Sequence, residues 1–284
     1  MRRFALAAFL LSAPLFLATG AGALTCEGIV QQGGLVVCQT EPGVRVEVGR
    51  AEDDIYVQRA DADGVVVVGF DRDEPDNFIR VGETRIDFDM QPRDWDISRI
   101  DGLPKRFVSE YTEKQLAHIR RSSARKKVGF ASKVETIGFR TSRVAGFINP
   151  IPDGYTKTTN FGAQRILNGE PKRPHFGVDF AAPAGTPIVA PADGIVSLAD
   201  DDMYFEGSLV MIDHGQGLIS YYLHGEDVLV EDGQAVKQGE PIATVGSRGR
   251  STGPHLCWRL KWRGRNLDPE LVMMDWPRHD TNDG

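Results

Sequence analysis

The chain has 284 residues, 41% hydrophobic and 26% charged, a globular usage that excludes wholesale disorder, collagen-like repeats and a disulfide-dense miniprotein. Its formal net charge is −7, which gives no electrostatic basis for a nucleic-acid partner. The average conceals three zones, with net charges of −10 over residues 24–98, +8 over 99–143 and −7 over 144–284.

Residues 1–23 read as a secretory signal peptide. Arg2 and Arg3 precede the apolar run Phe4 to Leu17, and Ala21-Gly22-Ala23 offers a small-residue cleavage site. Ser12 and Pro14 interrupt the run, which falls short of the roughly 20 apolar residues of a spanning helix, so no stable membrane span is expected after cleavage. The protein is therefore expected to be exported and to be periplasmic or associated with the cell envelope.

Residues 24–90 contain short β-type runs separated by turns: Gly34 to Cys38, Val44 to Val48, Gly64 to Val68 and Thr84 to Phe88. Alternation in the second and fourth runs predicts half-buried strands and hence a small β-sandwich. Cys26 and Cys38 both lie there, and in an oxidising compartment they are the favoured disulfide pair, which leaves Cys257 without a partner.

Residues 91–145 read as a linker with a basic helix. No glycine or proline interrupts Lys105 to Lys127, and Val108, Tyr111, Gln115 and Ile119 share one side at helical spacing. Such a helix is either a solvated connector or a basic arm that holds an anionic polymer or the acidic first domain.

Residues 146–275 return to β texture, with candidate strands at 177–181, 187–190, 194–199, 208–213, 218–223, 241–246 and 255–261. The fold class is therefore mainly β: an N-terminal sandwich, a basic helical linker and a C-terminal antiparallel β domain, followed by a polar tail over 276–284.

Of the six histidines only His118 precedes residue 150, and clustering of this kind invites a search for a metal. His175 and Asp179 form an HxxxD pair, and His255-Leu256-Cys257 places two more ligand-type side chains on one face of a strand, about 7 Å apart. Four extended residues span about 13 Å, so His175 and Asp179 share an ion only if the chain bends, and Gly177 is the candidate bend. His214 in an Asp-His-Gly turn is expected to be structural, while His118 and His279 are expected to be solvated. Trp258 and Trp262 alternate with Arg259 and Lys261, which assigns the two indoles to core packing. No GxSxG elbow, P-loop or dinucleotide fingerprint offers a rival chemistry.

The stretch from Thr158 to Pro269 resembles the catalytic domain of the lysostaphin/LytM-type zinc metallopeptidases, bacterial cell-wall endopeptidases. The resemblance rests on Asn160-Phe161-Gly162, His175 to Pro183, Gly185-Thr186-Pro187, Ala192-Asp193-Gly194, Ile212 to Gly215, Tyr222-Leu223-His224, Val236 to Gly239 and Thr252 to Leu256, in the family's order. It implies one zinc ion per chain with His175 and Asp179 as ligands, His224 and His255 as catalytic histidines, and peptidoglycan peptides as substrate. The family's third ligand is the last histidine of an HxH strand, where this chain has Cys257. A thiolate binds zinc at about 2.3 Å and completes an acceptable three-ligand shell, so an active enzyme is expected. The alternative is a catalytically silent wall-binding module that activates a separate amidase.

Overall fold

The computed structural model describes residues 24–102, 111–131, 146–152, 155–273 and 278–280. The expected signal peptide, most of the N-terminal half of the basic stretch up to residue 110 and its end over 132–145 lie outside the described residues.

Valine-rich runs build the N-terminal part, because β-branched side chains pack well on a pleated surface. Seven strands occur there: β1 (Thr25–Gly28), β2 (Leu35–Gln39), β3 (Arg45–Ala51), β4 (Asp54–Arg59), β5 (Val65–Gly69), β6 (Asn77–Val81) and β7 (Thr84–Phe88). They form two antiparallel sheets, β1-β2-β5 and β4-β3-β6-β7, whose buried side chains belong to one core. β5 is buried at all five positions, so it reads as a continuous apolar run instead of an alternating one. Cys26 and Cys38 sit opposite each other in the β1–β2 ladder and are disulfide-bonded.

The 91–145 stretch is more than a linker. β8 (Ile97–Ile100) pairs in parallel with β10 (Gln164–Leu167), and Trp95 meets Phe161 edge to face at 5.8 Å between ring centres. Gly162 has φ +79, and a Cβ there would fall 2.1 Å from the Trp95 ring, so glycine is required on both counts. The guanidinium groups of Arg72 and Arg93 each lie 4.7 Å from the Trp95 ring centre, which ties the first sheets to the same point.

The helix α1 (Glu113–Phe130) starts later than the uninterrupted basic run permits. Thr112 and Gln115 form a capping box that fixes its start, so Gln115 serves the cap and Tyr111 lies outside the helix. The apolar stripe expected from Tyr111, Gln115 and Ile119 is not what docks it. Small residues Ser122 and Gly129 make the buried contact, with Gly129 against Leu198 and Met211. Arg121 and Arg125 reach Asp200, Arg125 reaches Asp232, and Lys126 pairs with Glu206. Among the described residues, the basic arm thus binds acids of the C-terminal β region. His118, expected to be solvated, contacts the Asp202 carbonyl at 2.7 Å.

The C-terminal part is built on an eight-stranded antiparallel sheet. Its members are β9 (Thr156–Thr159), β12 (Val178–Ala181), β14 (Gly194–Met203), β15 (Gly207–Asp213), β16 (Leu218–Gly225), β17 (Ala235–Val236), β19 (His255–Trp262) and β20 (Arg265–Leu267). The order is β17-β14-β15-β16-β19-β12-β9, with β20 beside β19. β11 (Glu170–Pro171) forms a short hairpin with β10, β13 (Pro187–Val189) pairs with β18 (Pro241–Thr244), and β21 (Arg278–Asp280) pairs with β1. The 276–284 segment therefore contributes a strand where a polar tail was expected, and the backbone of His279 lies opposite Cys26.

Trp258, Leu260 and Trp262 on β19 are fully buried in the core shared with the first sheets, and Trp262 meets Tyr56 at 5.8 Å. The Gly215–Gly217 turn also crosses over: Gln216 accepts from the Val67 amide at 2.9 Å and donates to the Val65 carbonyl at 2.8 Å.

The 12-residue separation of Cys26 and Cys38 sets the expected worth of the bridge. Chain-entropy reasoning predicts that replacing both with alanine lowers unfolding free energy by about 3 kcal/mol. Thiol titration of the denatured protein should find a single free cysteine, Cys257, and a count of three would show the bridge absent.

Candidate metal centre and active-site groove

Alternation along β19 presents His255, Cys257 and Arg259 on one face, opposite the buried Leu256, Trp258 and Leu260. β12 pairs with β19 so that Asp179 lies directly across from Cys257. His175 precedes β12 and is pinned by its backbone: its amide donates to the Ala163 carbonyl at 2.8 Å, and its carbonyl accepts from Gly162 at 2.7 Å. Gly177 has an ordinary φ, so its role is close approach instead of an unusual bend, because a Cβ there would meet Trp258 O at 2.6 Å.

The result is a triad of His175, Asp179 and Cys257, each offering one ligand atom, with these atoms all within 4.8 Å of one another. His175 Nε2 is 3.1 Å from Asp179 Oδ1 and 3.4 Å from Cys257 Sγ. The three are buried. His175 Nε2, Asp179 Oδ1 and Cys257 Sγ thus converge in a buried place where the carboxylate has few donors, an expensive arrangement unless a cation completes it. The donor set of imidazole, carboxylate and thiol suits zinc.

Protonation states agree with that fit. Burial lowers His175 to about 4 against the pull of Asp179, so its ring is neutral near pH 7. Burial opposes ionisation of Asp179, but the hydrogen bond and charge of His175 outweigh it and hold the carboxyl below the usual carboxylate range. Burial pushes the Cys257 thiol up to about 12, against the nearby Arg259, whose Nε donates to Sγ at 3.3 Å. A thiolate there needs a cation to displace its proton.

His224 and His255 face the same groove with ring centres 4.8 Å apart. His224, next to last in β16, has φ +68, a left-handed backbone unusual for a non-glycine residue. Its Nδ1 lies 2.9 Å from the Arg248 carbonyl, and Nδ1 of His255 lies 2.9 Å from the Gly253 carbonyl. A carbonyl can only accept, so each Nδ1 carries a proton, and in the neutral tautomer of either ring the lone pair is on Nε2. Burial, reinforced by His255, lowers His224 to about 4.

The groove around these residues encloses about 860 Å³. Its walls include groups the sequence did not single out, Ser98 and Ile100 of β8, Arg165 of β10, Glu206 and Arg250, together with Tyr111, which was read only as part of a helical stripe. Arg259 was legible only as a spacer between tryptophans, although its i+2 relation to Cys257 places it on the ligand face. His214 lies outside the groove and is structural, with Nδ1 on the Asp193 carbonyl at 2.8 Å and Nε2 on Ser220 Oγ at 2.7 Å.

Residues 173–269 match the model of Peptidase family M23. The chain is 41% identical over 121 residues to the peptidoglycan DD-endopeptidase ShyA of Vibrio cholerae, a match covering 42% of this chain and 28% of ShyA. It is 40% identical over 105 residues to the DD-carboxypeptidase/endopeptidase Mpg of Neisseria meningitidis, covering 37% of this chain and 24% of Mpg. The chain thus spans about a quarter of the length of these curated relatives. A crystal structure of a putative peptidase M23 from Pseudomonas aeruginosa aligns at 25% identity and TM-score 0.59 over 86% of this chain and 95% of its own.

The buried histidines set a pH dependence of stability in the metal-free protein. His214 is fully buried and lowered to about 4 by that burial, with only a carbonyl and a hydroxyl for partners. Above about pH 6.5 the ring is neutral in both folded and unfolded chains. Below it the unfolded chain gains a proton that the folded chain refuses until pH 4, so stability falls as pH falls through that window. One such ring contributes a slope of up to about 1.4 kcal/mol per pH unit. Chemical denaturation of metal-free protein between pH 7 and 4 should show the loss, and His214→Gln should flatten it while lowering stability at pH 7. An unchanged slope in that variant would refute the assignment.

Proposed function

We propose that the protein is an exported zinc metallo-endopeptidase that hydrolyses peptide bonds of bacterial peptidoglycan, in the stem peptide or cross-bridge, within the periplasm or cell envelope. The observation that carries this reading is the meeting of His175, Asp179 and Cys257 beside His224 and His255 on one groove. The names of ShyA and Mpg support the substrate class. Among the described residues no helix is long and apolar enough to cross a membrane.

His175, Asp179 and Cys257 would hold the ion. When bound, zinc supplies Lewis-acid polarisation of a peptide carbonyl and acidifies a water toward neutral pH. His255, its Nδ1 fixed on Gly253, presents Nε2 as the base that takes a proton from the attacking water. The proton that His255 takes from the water returns to the leaving amine, and His224, its ring centre 4.8 Å from that of His255, lies beside this path to hold or relay it. The left-handed backbone at His224 and its Arg248 contact fix the ring for this role.

Purified protein should bind one zinc, measured by elemental analysis, and should release peptide fragments from isolated peptidoglycan. His175→Ala and Asp179→Ala should lose both metal and activity. His224→Ala and His255→Ala should keep the metal and lose about 10²–10⁴-fold in rate. Stoichiometric zinc with no fragment release from any wall preparation would favour the silent module that activates an amidase.

A further inference from the structure

The groove concentrates positive charge in an acidic protein. Among the described residues its lining contains Arg165, Lys172, Arg173 and Arg259 against the carboxylates of Asp179 and Glu206, while the whole chain is −7. Two carboxylates do not balance four cations, and both have other partners. Asp179 belongs to the candidate metal triad, and Glu206 is paired with Lys126 of α1.

Three of the cations come from one hairpin. Arg165 lies on β10, and the Lys172 amide donates to the Arg165 carbonyl at 2.9 Å, which holds Lys172 and Arg173 beside it just before His175. Lys172 and Arg173 are exposed and make no ion pair among the described residues. Arg165 has only a long approach of 3.8 Å to Asp179, with its side chain 32% exposed. A guanidinium held this way is completed by an anion, and a planar carboxylate matches its paired donors.

We propose that the β10–β11 hairpin is a carboxylate-reading subsite, in which Arg165, Lys172 and Arg173 select peptides with a free carboxylate next to the bond to be cut. Stem peptides carry such carboxylates on their acidic residues and at their C-termini. Amidation of those groups removes the charge and leaves the shape. This proposal rests on the endopeptidase reading for its substrate and adds what distinguishes one wall peptide from another. The net positive lining also draws anionic fragments toward the site at low ionic strength.

The test compares two stem-peptide fragments that differ only in free against amidated carboxylates. In both, a ketomethylene replaces the scissile amide, so binding to the zinc-loaded full-length protein is read without turnover. Calorimetry should give an affinity about tenfold tighter for the free acid, the scale of a charge-assisted hydrogen bond, and rising salt should narrow the gap. Arg165→Gln should bring the two affinities within about threefold. Lys172→Gln/Arg173→Gln, made at exposed positions where folding is not at risk, should also reduce the preference. Equal affinities in the wild type, or a preference retained in both variants, would overturn the proposal.

Cleavable versions of the same peptides separate the two readings. Equal cleavage of acid and amide sinks the subsite and leaves the endopeptidase standing. A binding preference without cleavage of either peptide sinks the endopeptidase reading and leaves the subsite standing.

Discussion

The antiparallel pairing of β12 with β19, which sets Asp179 opposite Cys257, is the constraint on which the site depends. A slip of one residue in this ladder would turn Cys257 toward the core and a tryptophan or leucine toward Asp179, because side chains alternate faces with a period of two. The slip is resisted by what lies behind the site. Leu256, Trp258 and Leu260 fill the opposite face, and they could not be exchanged for His255, Cys257 and Arg259 without burying charge in the shared core.

The register also explains why the N-terminal sheets and α1 attach where they do. One face of the large sheet carries Trp258 and Trp262 into the core that the first domain completes. The other carries Leu198, Met211 and Tyr221, on which α1 sits through Gly129 and Phe130. Tyr111, Ser98 and Ile100 then become walls of the groove, so the segment between the two β regions helps to shape the site. The pairing of Lys126 with Glu206, whose carbonyl accepts from the His224 amide, links the helix to the strained histidine.

Much of this was legible from residues alone. Strands 84–88, 194–199, 208–213 and 218–223 follow from alternation or from β-branched runs, and all are strands in the structure. The identities of His175, Asp179 and Cys257 were readable from spacing and resemblance, but their convergence was not. It requires His175 to be anchored to residues 162 and 163 and Gly177 to pass close to β19, and both contacts are long-range. β10, β11 and β8 are too short and too evenly exposed to leave a periodic signal, so the basic hairpin went unread within the C-terminal β region and its parallel partner within the apparent linker. The docking face of α1 was missed for a related reason: it consists of small residues flanked by ion pairs, and a search for an apolar stripe passes over it.

The central claim is that a cysteine completes a metal shell otherwise made of histidine and aspartate. X-ray absorption at the zinc edge of the loaded protein measures that shell directly. The account predicts one sulfur at about 2.3 Å together with nitrogen and oxygen ligands at about 2.0–2.2 Å. A shell of nitrogen and oxygen alone would show that Cys257 is packing beside the ion and that the third ligand lies elsewhere.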